Sequence, residues 1–101
     1  MSNLGAGAKT AISFELGRVC ATPGALRAIE EAGRAPGEFL QRHLSNDWGE
    51  LDEHDSRLND LAVRSGEDRI LSAYRTSTGE KLWVITEWDR SATTLLLPEN
   101  Y

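Results

Sequence analysis

A chain of 101 residues, 40% hydrophobic and 27% charged, has room for one modest core that hides roughly two thirds of the surface its unfolded form exposes. That composition excludes a disordered or fibrous chain, and the longest run of large apolar residues, 82–85, is far too short for a membrane span. The one cysteine, Cys20, excludes an intrachain disulfide and fits a reducing cytoplasm.

Residues 1–9 are rich in glycine and alanine without periodicity and read as a flexible tail ahead of a single domain over 10–101. They hold no apolar stretch of signal-peptide length, and position 2 is serine, so neither export nor a myristoyl anchor is expected. From Thr10 the period becomes two: Ile12, Phe14 and Leu16 alternate with Ser13 and Glu15, the pattern of a half-buried strand. Gly17 marks a bulge, and Val19, Cys20 and Ala21 continue the strand beyond it.

Thr22 followed by Pro23 predicts a capped helix start, with Ala25, Leu26, Ile29 and Ala32 as its apolar stripe and Gly33 as its stop. Pro36 opens a second helix whose Phe39, Leu40, His43 and Leu44 fall at helical spacing. After a polar loop around Trp48, Asp52 caps a third helix. Glu53 and Asp55 lie in its first turn, Leu58, Leu61 and Ala62 form its buried stripe, and Gly66 ends it.

Two alternating stretches, 70–76 and 81–86, flank a hairpin turn that needs Gly79. A second turn, 88–91, leads to 92–97, and Pro98 stops the pattern. The expected fold is α+β in the order βαααβββ: an antiparallel sheet of strand one plus a C-terminal three-strand meander, with helices on one face. Trp83 is expected in the core and Trp88 at the surface.

The formal charge of −5 is concentrated. Between 47 and 60 six acids face one arginine, while the rest of the chain is neutral. That segment repels nucleic-acid phosphates and favours a protein partner with a basic surface. The candidate binding residues are therefore Asp47, Trp48, Glu50, Glu53 and Asp55, with Trp88, Asp89 and Arg90 at the second turn. Loop tryptophans are enriched at binding hot spots.

No cofactor is expected. There is no phosphate loop, and Gly5-Ala6-Gly7 precedes a strand, where a dinucleotide loop must open a helix. No zinc spacing, EF-hand loop or nucleophile elbow occurs. Cys20, just ahead of a helix start, reads as a small buried residue before it reads as a nucleophile. The acids 47–55 with His54 offer weak hold on a divalent cation, which supports an alternative as a small metal-dependent hydrolase or nuclease. A capped, solvated helix front accounts for the same residues.

Asp47-Trp48-Gly49-Glu50-Leu51-Asp52, Leu82-Trp83-Val84-Ile85-Thr86-Glu87 and Leu97-Pro98-Glu99-Asn100-Tyr101, together with 14–19, 21–26 and 89–94, resemble a family of short bacterial proteins from plasmids and integrated mobile elements. Some of its members carry the label "type I restriction endonuclease subunit M". The methyltransferase chemistry in that label requires an S-adenosylmethionine site and an N-P-P-[YF] motif, and the chain has neither. The resemblance implies a mobile-element setting, while the absence of catalytic motifs, the one-sided acidic helix and the two loop tryptophans point to a non-enzymatic accessory protein that acts by protein binding, an inhibitor or modulator of a host defence system being one specific form. The element order is also similar to that of RelE/ParE toxins, which implies mRNA cleavage or gyrase inhibition. That likeness is one of topology alone, and such ribosome-bound toxins are typically basic, whereas the pI here is near 4.9.

Overall fold

Thr22, Pro36 and Asp52 start helices where the sequence marks them. The computed structural model describes residues 14–101. Within them the order is β1 (Arg18–Ala21), α1 (Pro23–Glu31), α2 (Pro36–Leu44), α3 (Glu53–Ser65), β2 (Ile70–Arg75), β3 (Lys81–Thr86) and β4 (Ala92–Leu96), closed by a 3₁₀ turn (Pro98–Asn100). The Thr22 hydroxyl accepts the Ala25 N–H at 3.1 Å, and the Asp52 carboxylate accepts the Asp55 N–H at 2.8 Å. Each satisfies a donor that a helix start leaves orphaned. Gly33 and Gly66 stop α1 and α3 in the left-handed region, as the sequence predicts.

The strands lie in the order β1-β4-β3-β2. β2 and β3 pair antiparallel, with Ser72 opposite Val84, and so do β3 and β4, with Val84 opposite Leu95. β1 runs parallel to β4, with Val19 opposite Thr93, so the sheet is mixed and the expected all-antiparallel arrangement is corrected. The helical layer carries the chain from β1 back to the end at which β1 began, so β2 starts in the same direction, as in any crossover connection. Two reversals later β4 also runs that way. Alternation in a sequence carries no strand direction, which is why it did not reveal this.

Strand one is also not continuous. Among the described residues pairing begins at Arg18 and 14–17 carry no ladder, while 10–13 lie outside the described residues. Gly17 has φ 64°, and a Cβ there would overlap the carbonyls of Arg90 and Ser91. It therefore ends the preceding segment rather than bulging a continuous strand.

One sheet face presents Ile70, Ser72, Tyr74, Leu82, Val84, Thr86, Thr93 and Leu95, all buried. Tyr74, Leu82, Val84 and Leu95 pack with Ala25, Ala28 and Ile29 of α1 and Phe39 of α2, while Ile70 packs with Trp48 and with Ala62 and Val63 of α3. All three helices thus cover this face. Trp83 points to the other face, half-buried, its ring edge-on to Tyr101 at 5.9 Å. The expectation that Trp83 anchors the core is corrected, since its neighbours Leu82 and Val84 are the fully buried pair. Leu82→Ala should cost about 2–5 kcal/mol and more than Trp83→Ala, as read from urea unfolding of the two variants.

The third helix brings a further correction. Its buried residues are Asn59, Ala62 and Val63, while Leu58 and Leu61 are 52% and 55% exposed. Asn59 sets this rotation. Its amide donates to the Leu71 carbonyl at 2.6 Å and accepts the Leu71 N–H at 3.2 Å. A polar side chain thereby wins the inward position because it satisfies two backbone groups on the outer edge of β2.

Candidate functional site

The loop 45–52 is tied to β2 by backbone. Ala73 donates to the Trp48 carbonyl at 3.1 Å and accepts the Glu50 N–H at 2.6 Å, which forms a short parallel bridge at Gly49. This tether folds Trp48 inward, to 6% exposure. Its indole N–H reaches Asp60 at 3.0 Å, and its ring lies near those of His43 and Phe14. Trp48 therefore belongs to the core and is not exposed on its loop.

The acids of the 47–60 window diverge. Asp47 pairs with Arg42 at 2.7 Å, Glu50 with Arg75 at 3.1 Å, and Glu53 with Arg57 at 3.0 Å. The hydrogen bond from Arg42 holds the Asp47 carboxyl below its ordinary range and raises the arginine in turn. Arg42 and Arg75 come from outside the window and lower its net charge from −5 to −3. Among the described residues, no group of three or more His, Cys, Asp or Glu side chains comes together closely enough to hold a metal ion.

At the second turn Trp88 is 62% exposed, as expected. Asp89 accepts the Ser91 N–H at 3.0 Å, and its hydrogen bonds from Ser91 keep its pKa low. Arg90, by contrast, is committed to the fold. Its guanidinium donates to the carbonyls of Ala62 at 2.8 Å, Asp68 at 2.6 Å and Trp88 at 2.9 Å. It neutralises the carbonyl-rich end of α3 and pins the turn there.

A polar network that sequence reasoning did not assemble lies between α2 and the sheet. His43 is fully buried. Its Nδ1 is 2.6 Å from the Ser72 hydroxyl and its Nε2 2.9 Å from Thr86 Oγ1. Thr86 is 2.7 Å from Thr93 Oγ1, and Thr93 donates to the Leu16 carbonyl at 2.8 Å. Each hydroxyl has one proton, so direction propagates: Thr86 donates to Thr93, His43 Nε2–H donates to Thr86, and Ser72 donates to His43 Nδ1. The neutral imidazole fits this chain, and burial pushes its pKa down to about 4. With both nitrogens engaged inside the core, His43 positions structure and is no general base. The available signal was its place in the apolar stripe of α2 combined with hydroxyls at the inward positions of three strands.

The surface feature the sequence did not reveal is a groove of about 410 Å³ between α3 and β2. Leu51, Leu58, Leu61 and Leu71 form its apolar wall, and Asp55, Asp68 and Arg69 its rim. Of the predicted binding residues only Asp55 lies in it. Trp88 and Asp89 sit on the turn at the far end of α3, and Cys20 is exposed on β1. No described helix is long and apolar enough to cross a membrane. No protein-family model, curated protein or solved structure matches the chain.

Proposed function

We propose that this chain is a non-enzymatic accessory protein of a mobile genetic element that acts in the cytoplasm by binding another protein, as a modulator of a host defence system. The observation that carries the binding is the outward face of α3, where Leu58 and Leu61 remain half exposed on a helix whose other apolar positions are covered. Contiguous exposed apolar side chains on a small domain favour contact with a partner. The acids beside them favour a partner with a basic surface. The mobile-element setting rests on the resemblance of 14–101 to plasmid-borne proteins.

A photo-crosslinking amino acid placed at Leu61 should give one discrete adduct in host cells, while the same group at exposed Glu30 of α1 should not. Identical adduct patterns from the two positions would contradict the proposal. Exposed charges contribute little to folding. The Glu50→Gln/Glu53→Gln/Asp55→Asn variant should therefore lose no more than about 1 kcal/mol of stability, while its partner capture becomes weaker and less dependent on salt. Unfolding midpoints and capture at two salt concentrations check both parts.

A further inference from the structure

We infer that the groove between α3 and β2 receives an amphipathic helix of the partner, one whose apolar stripe is flanked by lysine or arginine. The inference rests on the protein-binding reading above and deepens it.

Two classes of occupant are open to a groove beside a sheet edge: a strand that extends the sheet through its backbone, or a helix that fills the groove with side chains. Strand addition needs free N–H and C=O groups on the outer edge of β2. At Leu71 and Ala73 those groups are already taken. Leu71 gives its N–H and C=O to the Asn59 amide, and Ala73 gives its own to Trp48 and Glu50. Into the groove β2 offers the Leu71 side chain, which lines it together with Leu51, Leu58 and Leu61. Leu58 and Leu61 stand one turn apart on α3, the spacing at which an apolar helical stripe interdigitates with a second helix.

The rim selects the charge of that helix. Asp55 and Asp68 border the groove, and among the described residues neither forms an ion pair. The basic residue beside them, Arg69, donates to the neutral Tyr101 hydroxyl at 2.6 Å and lies over its ring, and two carboxylates against one guanidinium leave the lining net negative. A second copy of this groove would set Asp55 and Asp68 against acids, so self-association through it is disfavoured, whereas lysine or arginine beside an apolar stripe complements it.

The test is selection from a display library of random peptides about five helical turns long on the wild-type protein, with the folded Leu58→Glu/Leu61→Glu variant as counter-selector. Enriched peptides should show apolar residues at helical spacing with basic flanks. They should lose at least about tenfold in affinity, equivalent to 1.4 kcal/mol, for the double-glutamate variant, and should weaken for Asp55→Lys/Asp68→Lys. Enrichment of alternating, strand-like sequences or of acidic flanks would overturn the inference, as would the absence of any peptide that discriminates the double-glutamate variant. A concentration-dependent dimer abolished by Leu61→Glu would overturn it in favour of a second copy. If a crosslinked partner is found but its adducts and affinity ignore positions 58 and 61, protein binding stands and the groove falls. If no partner is captured from any position, the reading beneath it falls as well.

Discussion

Lowering the pH from about 7 to about 4 should remove about 3 kcal/mol of folding stability, and the loss should trace to His43. The imidazole is fully buried, and its pKa is lowered from 6.5 to about 4 because burial penalises the charged form. Between those values the unfolded chain binds a proton that the folded chain refuses. Stability is therefore constant above about pH 6.5 and falls as the pH drops toward 4, by about 1.4 kcal/mol per unit of displacement. Asp47 and Asp89, whose pKa values are depressed from 3.8, act in a separate window, since their contribution is lost only as the pH falls below that value.

Urea titrations across this range check the slope, and His43→Gln separates it from general acid weakening. Gln keeps some polar contact with Ser72 and Thr86 but does not titrate. The variant should be less stable at neutral pH by about 1–3 kcal/mol, the cost of leaving a buried hydroxyl poorly paired, and should lose most of the slope between pH 6.5 and 4. A slope of unchanged size in His43→Gln would assign the acid sensitivity to another group.

Gly49→Ala should destabilise the fold by about 2–5 kcal/mol through left-handed strain and overpacking together. The residue has φ 76°, and an added Cβ would run into the Ala73 carbonyl and the Tyr74 ring. The strand backbone cannot step aside without breaking the pairing that Ala73 makes with Trp48 and Glu50. Tyr74 is no freer, for it is buried and its hydroxyl donates to the Asp47 carbonyl at 2.6 Å. Burial pushes that phenol up to about 12, so the bond persists over the working pH range. Gly37→Ala in the first turn of α2, with nothing near its Cβ, is the control and should unfold at or slightly above the wild-type midpoint.

Much of this architecture was legible in the residues. Thr22-Pro23, Pro36, Asp52, Gly33, Gly66 and Gly79 each impose a local backbone requirement that only a few residue types meet, so the ends of helices and turns could be read directly. Facing was less legible. Leu58 and Leu61 have the hydrophobicity of core residues, yet Asn59 takes the inward position because of two hydrogen bonds to Leu71, a residue twelve positions away. Trp48 and Arg90 carry the composition of a binding loop and a charged turn. Their roles follow from partners in β2, α3 and the preceding turn, contacts that no local window contains. The parallel pairing of β1 with β4 is a property of the whole path of the chain. The groove is invisible for the same reason, since it forms where an outward helix face meets a sealed strand edge.

Under the proposal, the outward face of α3 serves a partner and not the fold. Its most direct test is the affinity of the partner captured from position 61 for the Leu58→Glu/Leu61→Glu variant, measured by calorimetric titration alongside wild type. The complex should be at least about tenfold weaker, from a variant that melts within a few degrees of wild type. Equal affinity for the two proteins would contradict the proposal, and so would a variant that fails to fold, because Leu58 and Leu61 would then belong to the core.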